Sequence, residues 1–153
     1  MGLFPFSKKK TFFSDEEQKL LVDAITLAEK ETSGEVRVFV ESKNTFVDPL
    51  DRAKEIFIKL QMHNTKHRNA VLLYIATEHK ELALLADEGI YNTLGKTYWD
   101  NSVKNMIAHF AGNNIVAGVE QCIKEIGQTL KEKFPFDPSE DKNELPNDIV
   151  FGK

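Results

Sequence analysis

"AVLLYIATEHKELALLAD", residues 70–87, decides how this chain folds. Its first eight residues are almost all apolar, which suits a central strand covered on both faces. A tight turn around Glu78-His79-Lys80 then returns the chain into "ELALLAD". A connection so short joins antiparallel neighbours, because a parallel crossover needs a dozen residues or more. Upstream, "EVRVFVE" (35–41) alternates Val36, Val38 and Val40 with Glu35, Arg37 and Glu41, the period of a strand. Phe39 on the opposite face implies partial cover there too. Between these strands, Asp48-Pro49 reads as an N-cap followed by proline at the first helical position. Leu50, Ala53, Phe57 and Leu60 continue as an apolar stripe, which predicts a helix over 49–62. Strand 35–41, this helix and strand 70–77 form a βαβ unit, so the two strands are parallel with a right-handed crossover.

Outside that unit the signals are helical. Ser14 and Glu17 make a capping box, with Asp15 and Glu16 at the positive helix end. Leu20, Leu21, Ala24, Ile25 and Ala28 recur at helical spacing until Ser33-Gly34 ends the run. Tyr98 to Phe110 and Ile115 to Leu130 read as two further helices separated by "AGNN". "FPFDPSEDKNELPNDIVFGK" is Pro- and Asp-rich and irregular, although its "NDIVF" suits an edge strand. The expected organisation is a flexible arm (1–13), one domain (14–133) and an irregular tail (134–153). The fold class is α/β, a layered sandwich around a small mixed β-sheet.

Composition narrows the function classes. The 153 residues are 41% hydrophobic and 29% charged, with a net charge of −4, the profile of a soluble globular domain without the basic face of a nucleic-acid binder. No stretch approaches the roughly 20 apolar residues of a membrane span. In "MGLFPFSKKK" the lysines follow the apolar part, the reverse of a secretory signal. Phe6 stands where a myristoylation motif needs Ser or Thr. The expectation is a cytoplasmic protein with no stable membrane insertion. Cys122 is the only cysteine; it excludes an intramolecular disulfide and reads as a small buried thiol among Val119, Ile123 and Ile126.

Strand direction assembles the candidate site. If the first two strands point up, the third points down, so Asp87 and Glu88 emerge at the lower edge. That edge also receives Glu35 and Asn69 from the strand starts, and Asp100 can fold back to it from the beginning of a helix. Five oxygen-bearing side chains at one edge suit a hard divalent cation, Ca2+ or Mg2+. The competing reading makes Asp87 turn chemistry, Asp100 a helix cap and Glu35 a solvated carboxylate. Other motifs are weaker. His63 and His67 are four apart, but Asn64-Thr65 suggests the helix has already ended. Asp137, Ser139, Asp141, Asn143 and Asp148 have EF-hand spacing, but Lys142 stands where the glycine belongs. There is no phosphate-binding glycine loop and no G-x-S-x-G elbow, and Thr32 and Ser33 have no identifiable base.

Over roughly residues 14 to 133 the chain resembles the TPM domain family, which has thylakoid-lumen, photosystem-II-associated and nematode receptor-modulating members. The matching features are the capped helix, "ETSGEVRVFV", the aromatic-bearing crossover helix, "HRNAVLLYIA" and "ELALLADEGIYNTLGKTYWD", in that order. It looks most like the small leaderless bacterial members with a D-x-G-I pattern. The resemblance implies a three-layer α/β/α sandwich; some members of the family bind calcium or other divalent cations near the acidic edge, and one plant branch is described as an acid phosphatase. Many members read G-Y-G-L-E-G where this chain has Asp87-Glu88-Gly89-Ile90-Tyr91-Asn92, so phosphatase activity does not carry over directly.

The leading expectation is a divalent-cation-binding protein with Asp87, Glu88 and Asp100 as inner ligands and Glu35 and Asn69 behind them. Gly89 would let the backbone pass close to the ion, with Ile90, Leu94, Tyr98 and Trp99 anchoring the segment. One alternative is a metal-assisted phosphatase, with Arg68 holding phosphate and Glu35 positioning water. The other is a protein-interaction module with a structural metal site, its partner bound by Phe4, Phe6, Phe134 and Phe136 in the two "FPF" segments.

Overall fold

A computed structural model describes residues 13–44, 48–111, 115–138 and 149–152. Helix α1 (Asp15–Glu29) opens with the reciprocal cap its sequence predicts: Ser14 Oγ accepts from the Glu17 N–H at 3.1 Å, and Glu17 Oε1 accepts from the Ser14 N–H at 2.9 Å. Strand β1 (Glu35–Glu41) follows, and every residue of it is buried. Helix α2 (Pro49–Lys59) starts at Asp48, whose side chain accepts from the Leu50 N–H. It stops three residues short of the predicted Met62. Gln61 turns left-handed at φ 56°, its N–H bonds to the Ile58 carbonyl, and Met62 N–H reaches back to Phe57. This is a Schellman end without its usual glycine, held by burial of Met62.

Strands β2 (Ala70–Ala76) and β3 (Glu81–Ala86) are the hairpin of the opening stretch, with Val71 opposite Ala86. β1 and β2 are parallel, with Glu35 beside Ala70. The short strand β4 (Val150–Phe151) pairs parallel with β1 at Phe39 and Val40, so the "NDIVF" segment does supply an edge strand. The order is β3-β2-β1-β4, a four-stranded mixed sheet. Two helices were expected after the sheet, but three form: α3 (Glu88–Leu94), α4 (Lys96–Ala111) and α5 (Ile115–Lys133). α3 was missed because its seven residues are too few to show a period. Gly95, at φ 82°, ends it.

Strand alternation divides the core. Val36, Val38, Val71, Leu73, Ile75 and Leu84 pack beneath α1, α4 and α5. Phe39, Leu72, Tyr74 and Ala83 face Ala53, Ile56 and Phe57 of α2. Helices therefore cover both faces of the sheet, which accounts for the unbroken burial of β1 and β2. Cys122 belongs to the first core, and burial pushes its thiol up to about 12, so it is a packing residue rather than a nucleophile.

Candidate functional site

The lower edge is formed by the starts of β1 and β2 and the end of β3. Two backbone bonds close it, Glu35 N–H to the Asn69 carbonyl at 3.4 Å and Asp87 N–H to the Ala70 carbonyl at 2.9 Å. Asp87 is the N-cap of α3, its Oδ1 accepting from the Glu88 N–H at 2.8 Å. Arg68 grips the same carboxylate with two bonds, Nε to Oδ2 at 2.6 Å and Nη2 to Oδ1 at 2.8 Å, while Nη1 lies 2.9 Å from Glu88 Oε1. A guanidinium thus sits between the two carboxylates, where the sequence suggested a metal ion. Its bond to Asp87 strengthens its hold on its proton. Arg68 lies on a left-handed turn, φ 52°, with its side chain 43% exposed against 6% for Asp87. Gly89 is needed here for a different reason than expected. A Cβ on it would lie 2.2 Å from the His67 carbonyl oxygen and 2.6 Å from that of Arg68, so α3 presses against the chain's own backbone.

Asp100 does not join this cluster. The extra helix α3 and Gly95 carry the chain onward before α4 starts, and Asp100 falls one turn inside α4 rather than at its cap. There it pairs with Lys96 at 2.6 Å, both side chains exposed, and lines a separate groove along β3. Among the described residues no three His, Cys, Asp or Glu side chains are grouped so as to hold a metal ion. Glu35 and Asn69 are at the edge but buried, so Glu35 is not the solvated carboxylate of the competing reading. Asn69 donates from Nδ2 to Ser33 Oγ at 3.1 Å, while its Oδ1 is buried with no donor. Sequence reasoning overlooked Glu29. Burial, together with the neighbouring Glu35 charge, raises its carboxyl to about 8 against the pull of a bond from the Val36 N–H. A lone glutamate at the polar end of an amphipathic helix gave no signal.

The remaining candidates have other places. Arg68 is committed to Asp87 and Glu88 rather than open for a phosphate. Thr32 Oγ1 accepts from the Gly34 N–H at 3.0 Å and lies as donor between the Leu130 and Phe134 carbonyls, fixing the tail rather than serving as a nucleophile. His63 is half-buried with an unpartnered Nδ1, and His67 is exposed. Of the EF-hand-like set only Asp137 is described; Ser139, Asp141, Asn143 and Asp148 lie outside the described residues. Phe134 packs on the core and Phe136 is 44% exposed, while Phe4 and Phe6 are also outside them.

The upper edge carries a second polar network. Arg52 grips Glu41 through Nε to Oε2 at 2.8 Å and Nη2 to Oε1 at 2.9 Å, and the Tyr74 hydroxyl donates to the same Oε2. Burial pushes the Glu41 carboxyl up, but the bonds from Arg52 and Tyr74 outweigh it and leave it below the usual range. Burial and the Glu41 bond together push the Tyr74 phenol up.

The model of the TPM domain matches residues 7–129. The NMR structure of the BA42 protein from the psychrophilic bacterium Bizionia argentinensis is similar at 39% identity and TM-score 0.86, over 96% of this chain and 100% of that one. An N-terminal domain from P. gingivalis matches at 14% identity and TM-score 0.67, over 80% of this chain and 78% of that one. One from Corynebacterium glutamicum matches at 11% and 0.62, over 78% and 74%. These two share the fold alone. No curated protein matches the chain. Among the described residues no helix is long and apolar enough to cross a membrane.

Proposed function

This chain belongs to the TPM domain family, and from that premise we propose that it binds a divalent cation, calcium or magnesium, between Asp87 and Glu88 by exchange with the Arg68 guanidinium. The observation that carries the reading is the bridge itself: one side chain's positive charge already lies between two adjacent carboxylates. Asp87 is held rigidly as a helix cap, whereas Arg68 is nearly half in water and can swing out. Hard cations take carboxylate oxygens and complete their shell with backbone carbonyls and water. Two carboxylates make a sparse site, so the affinity belongs with weak sites, at about 10⁻⁴–10⁻³ M. Asp100 takes no part. The phosphatase alternative has no observation of its own in this geometry: as the site stands, Arg68 is bonded to Asp87 and Glu88.

The test is a calcium and magnesium titration followed by NMR on the parent and two variants. Arg68→Ala removes the internal competitor and should bind more tightly, while Asp87→Asn should lose binding. An Arg68→Ala variant that binds no better than the parent would remove the exchange mechanism. Metal-dependent turnover of an aryl phosphate lost in Arg68→Ala would favour the enzyme instead.

A further inference from the structure

At the upper end of the sheet a histidine ring takes part in the bonding of the backbone. Thr77 N–H bonds to the Glu41 carbonyl at 2.9 Å and Glu78 N–H to the Ser42 carbonyl at 2.8 Å, continuing the β1–β2 pairing past both strand ends. Lys80 then turns left-handed at φ 52° and starts the return into β3. This register brings His79 of the turn against Asn44 of the segment that leaves β1. The Asn44 N–H bonds to His79 Nδ1 at 3.3 Å, and Asn44 Nδ2 donates to Glu81 Oε1 at 3.0 Å. Asn44 is only 5% exposed, so both donors take protein acceptors in place of water.

Nδ1 accepts only while it carries no proton, so this bond places the proton of the neutral ring on Nε2. A second proton, which imidazoles take up between about pH 8 and pH 5, then lands on Nδ1. Two donors now face each other, and the bond from the Asn44 N–H is lost. Glu81 Oε1 lies 3.8 Å from the same nitrogen and is the one charged group within ion-pair distance of the ring among the described residues. Glu78 and Lys80 on the same turn, and Lys43 beside Asn44, form no ion pair among those residues. The Glu41 charge at the end of β1 is taken by Arg52 and Tyr74. The protonated ring therefore turns to Glu81, whose Oε1 is the very oxygen that holds the Asn44 side chain. One proton competes for both acceptors of Asn44.

We propose that His79 is a proton-controlled latch: with Nδ1 bare it holds Asn44 to the β2–β3 turn, and with Nδ1 protonated it pairs with Glu81 and lets Asn44 go. The ring side chain is 45% exposed, so its proton comes directly from water. The backbone bonds at Thr77 and Glu78 involve no titrating group and keep the turn beside β1 in both states. Opening is therefore confined to the exit of β1, and the sheet stays paired.

The experiment follows the full ¹⁵N-labelled chain by NMR from about pH 8 to about pH 5. At the upper pH the His79 ring should carry its proton on Nε2. As pH falls, the Asn44 backbone and side-chain amides should shift with the same midpoint as the His79 ring. Protection of the Asn44 backbone amide from exchange should drop about tenfold, while Thr77 and Glu78 keep theirs. His79→Phe removes the acceptor and its proton together, so Asn44 should be unprotected throughout and show no transition. Glu81→Gln keeps an oxygen for the Asn44 side chain but removes the charge that receives the protonated ring, so the Asn44 transition should move to lower pH. A parent ring with its proton on Nδ1 at the upper pH would overturn the proposal. So would Asn44 amides that ignore the His79 midpoint, or an Asn44 transition that persists in His79→Phe.

Discussion

At the upper end of the sheet Glu41, Arg52 and Tyr74 lock together; at the lower end Arg68 bridges Asp87 and Glu88. Both ends use an arginine making two bonds to one carboxylate. At the upper end the arginine stands on a helix, the carboxylate on a strand, and side-chain exposure is 19% and 4%. At the lower end the arginine comes from a left-handed loop position and Glu88 is 65% exposed. Around it lie an unsatisfied Asn69 oxygen and a Glu29 carboxyl that Glu35 helps push up. Identical pair chemistry is therefore structural where every member is mostly buried and satisfied. It is exchangeable where one member is open to water.

Removing the carboxylate at each end breaks that comparison most directly. Glu41→Ala leaves a mostly buried guanidinium and a buried phenol hydroxyl without their acceptor, and should cost about 3–5 kcal/mol. Asp87→Ala loses a helix cap and a pair whose arginine can turn to solvent, and should cost about 1–3 kcal/mol. Urea unfolding of both variants measures the difference. Equal losses would mean that the lower bridge is as structural as the upper one.

What could be read beforehand depended on where the deciding forces lie. The β2–β3 hairpin, the parallel β1–β2 pair and the Ser14 cap were legible because they are written in local periodicity and spacing. Membership of Asp87 and Glu88 in the lower edge followed from strand direction alone. The position of Asp100 did not, since it depends on a seven-residue helix whose existence rests on packing Gly89 against His67 and Arg68. Arg68 was noticed as a phosphate clamp and not as the carboxylates' own partner, because residues 68 and 87 are joined only through the sheet. Tyr74 likewise read as an apolar strand residue, and its hydroxyl's acceptor lies on the neighbouring strand.

The two ends should also answer pH in opposite directions. The Glu41 carboxyl is depressed in the fold, so its contribution is present at neutral pH and is lost as pH falls through that depressed value. Glu29 is raised to about 8 in the fold. Its contribution is full below the ordinary carboxylate value and is lost as pH rises through about 8, because the native state holds a proton that the unfolded chain has released. With part of the group in water, the loss should be about 1–3 kcal/mol. Glu29→Gln keeps an oxygen for the Val36 N–H and should flatten this decline between pH 5 and pH 9 on the order of that amount. A parent whose melting temperature is level across that range would show that Glu29 is ionised at no cost.

The smallest effect separates the lower edge from the groove beside it. Asp100 holds Lys96 across one helical turn, with side chains 60% and 77% exposed. Water screens such a pair, and holding two mobile side chains in one geometry offsets most of the attraction. Asp100→Ala should therefore change stability by less than about 0.5 kcal/mol, roughly 1–2 °C in melting temperature for a chain of this size. Calcium or magnesium affinity should also be unchanged, since Asp87 and Glu88 keep their arrangement with Arg68. A loss of cation affinity in Asp100→Ala would place that carboxylate back with Asp87, and α3 would have to shift to bring it there.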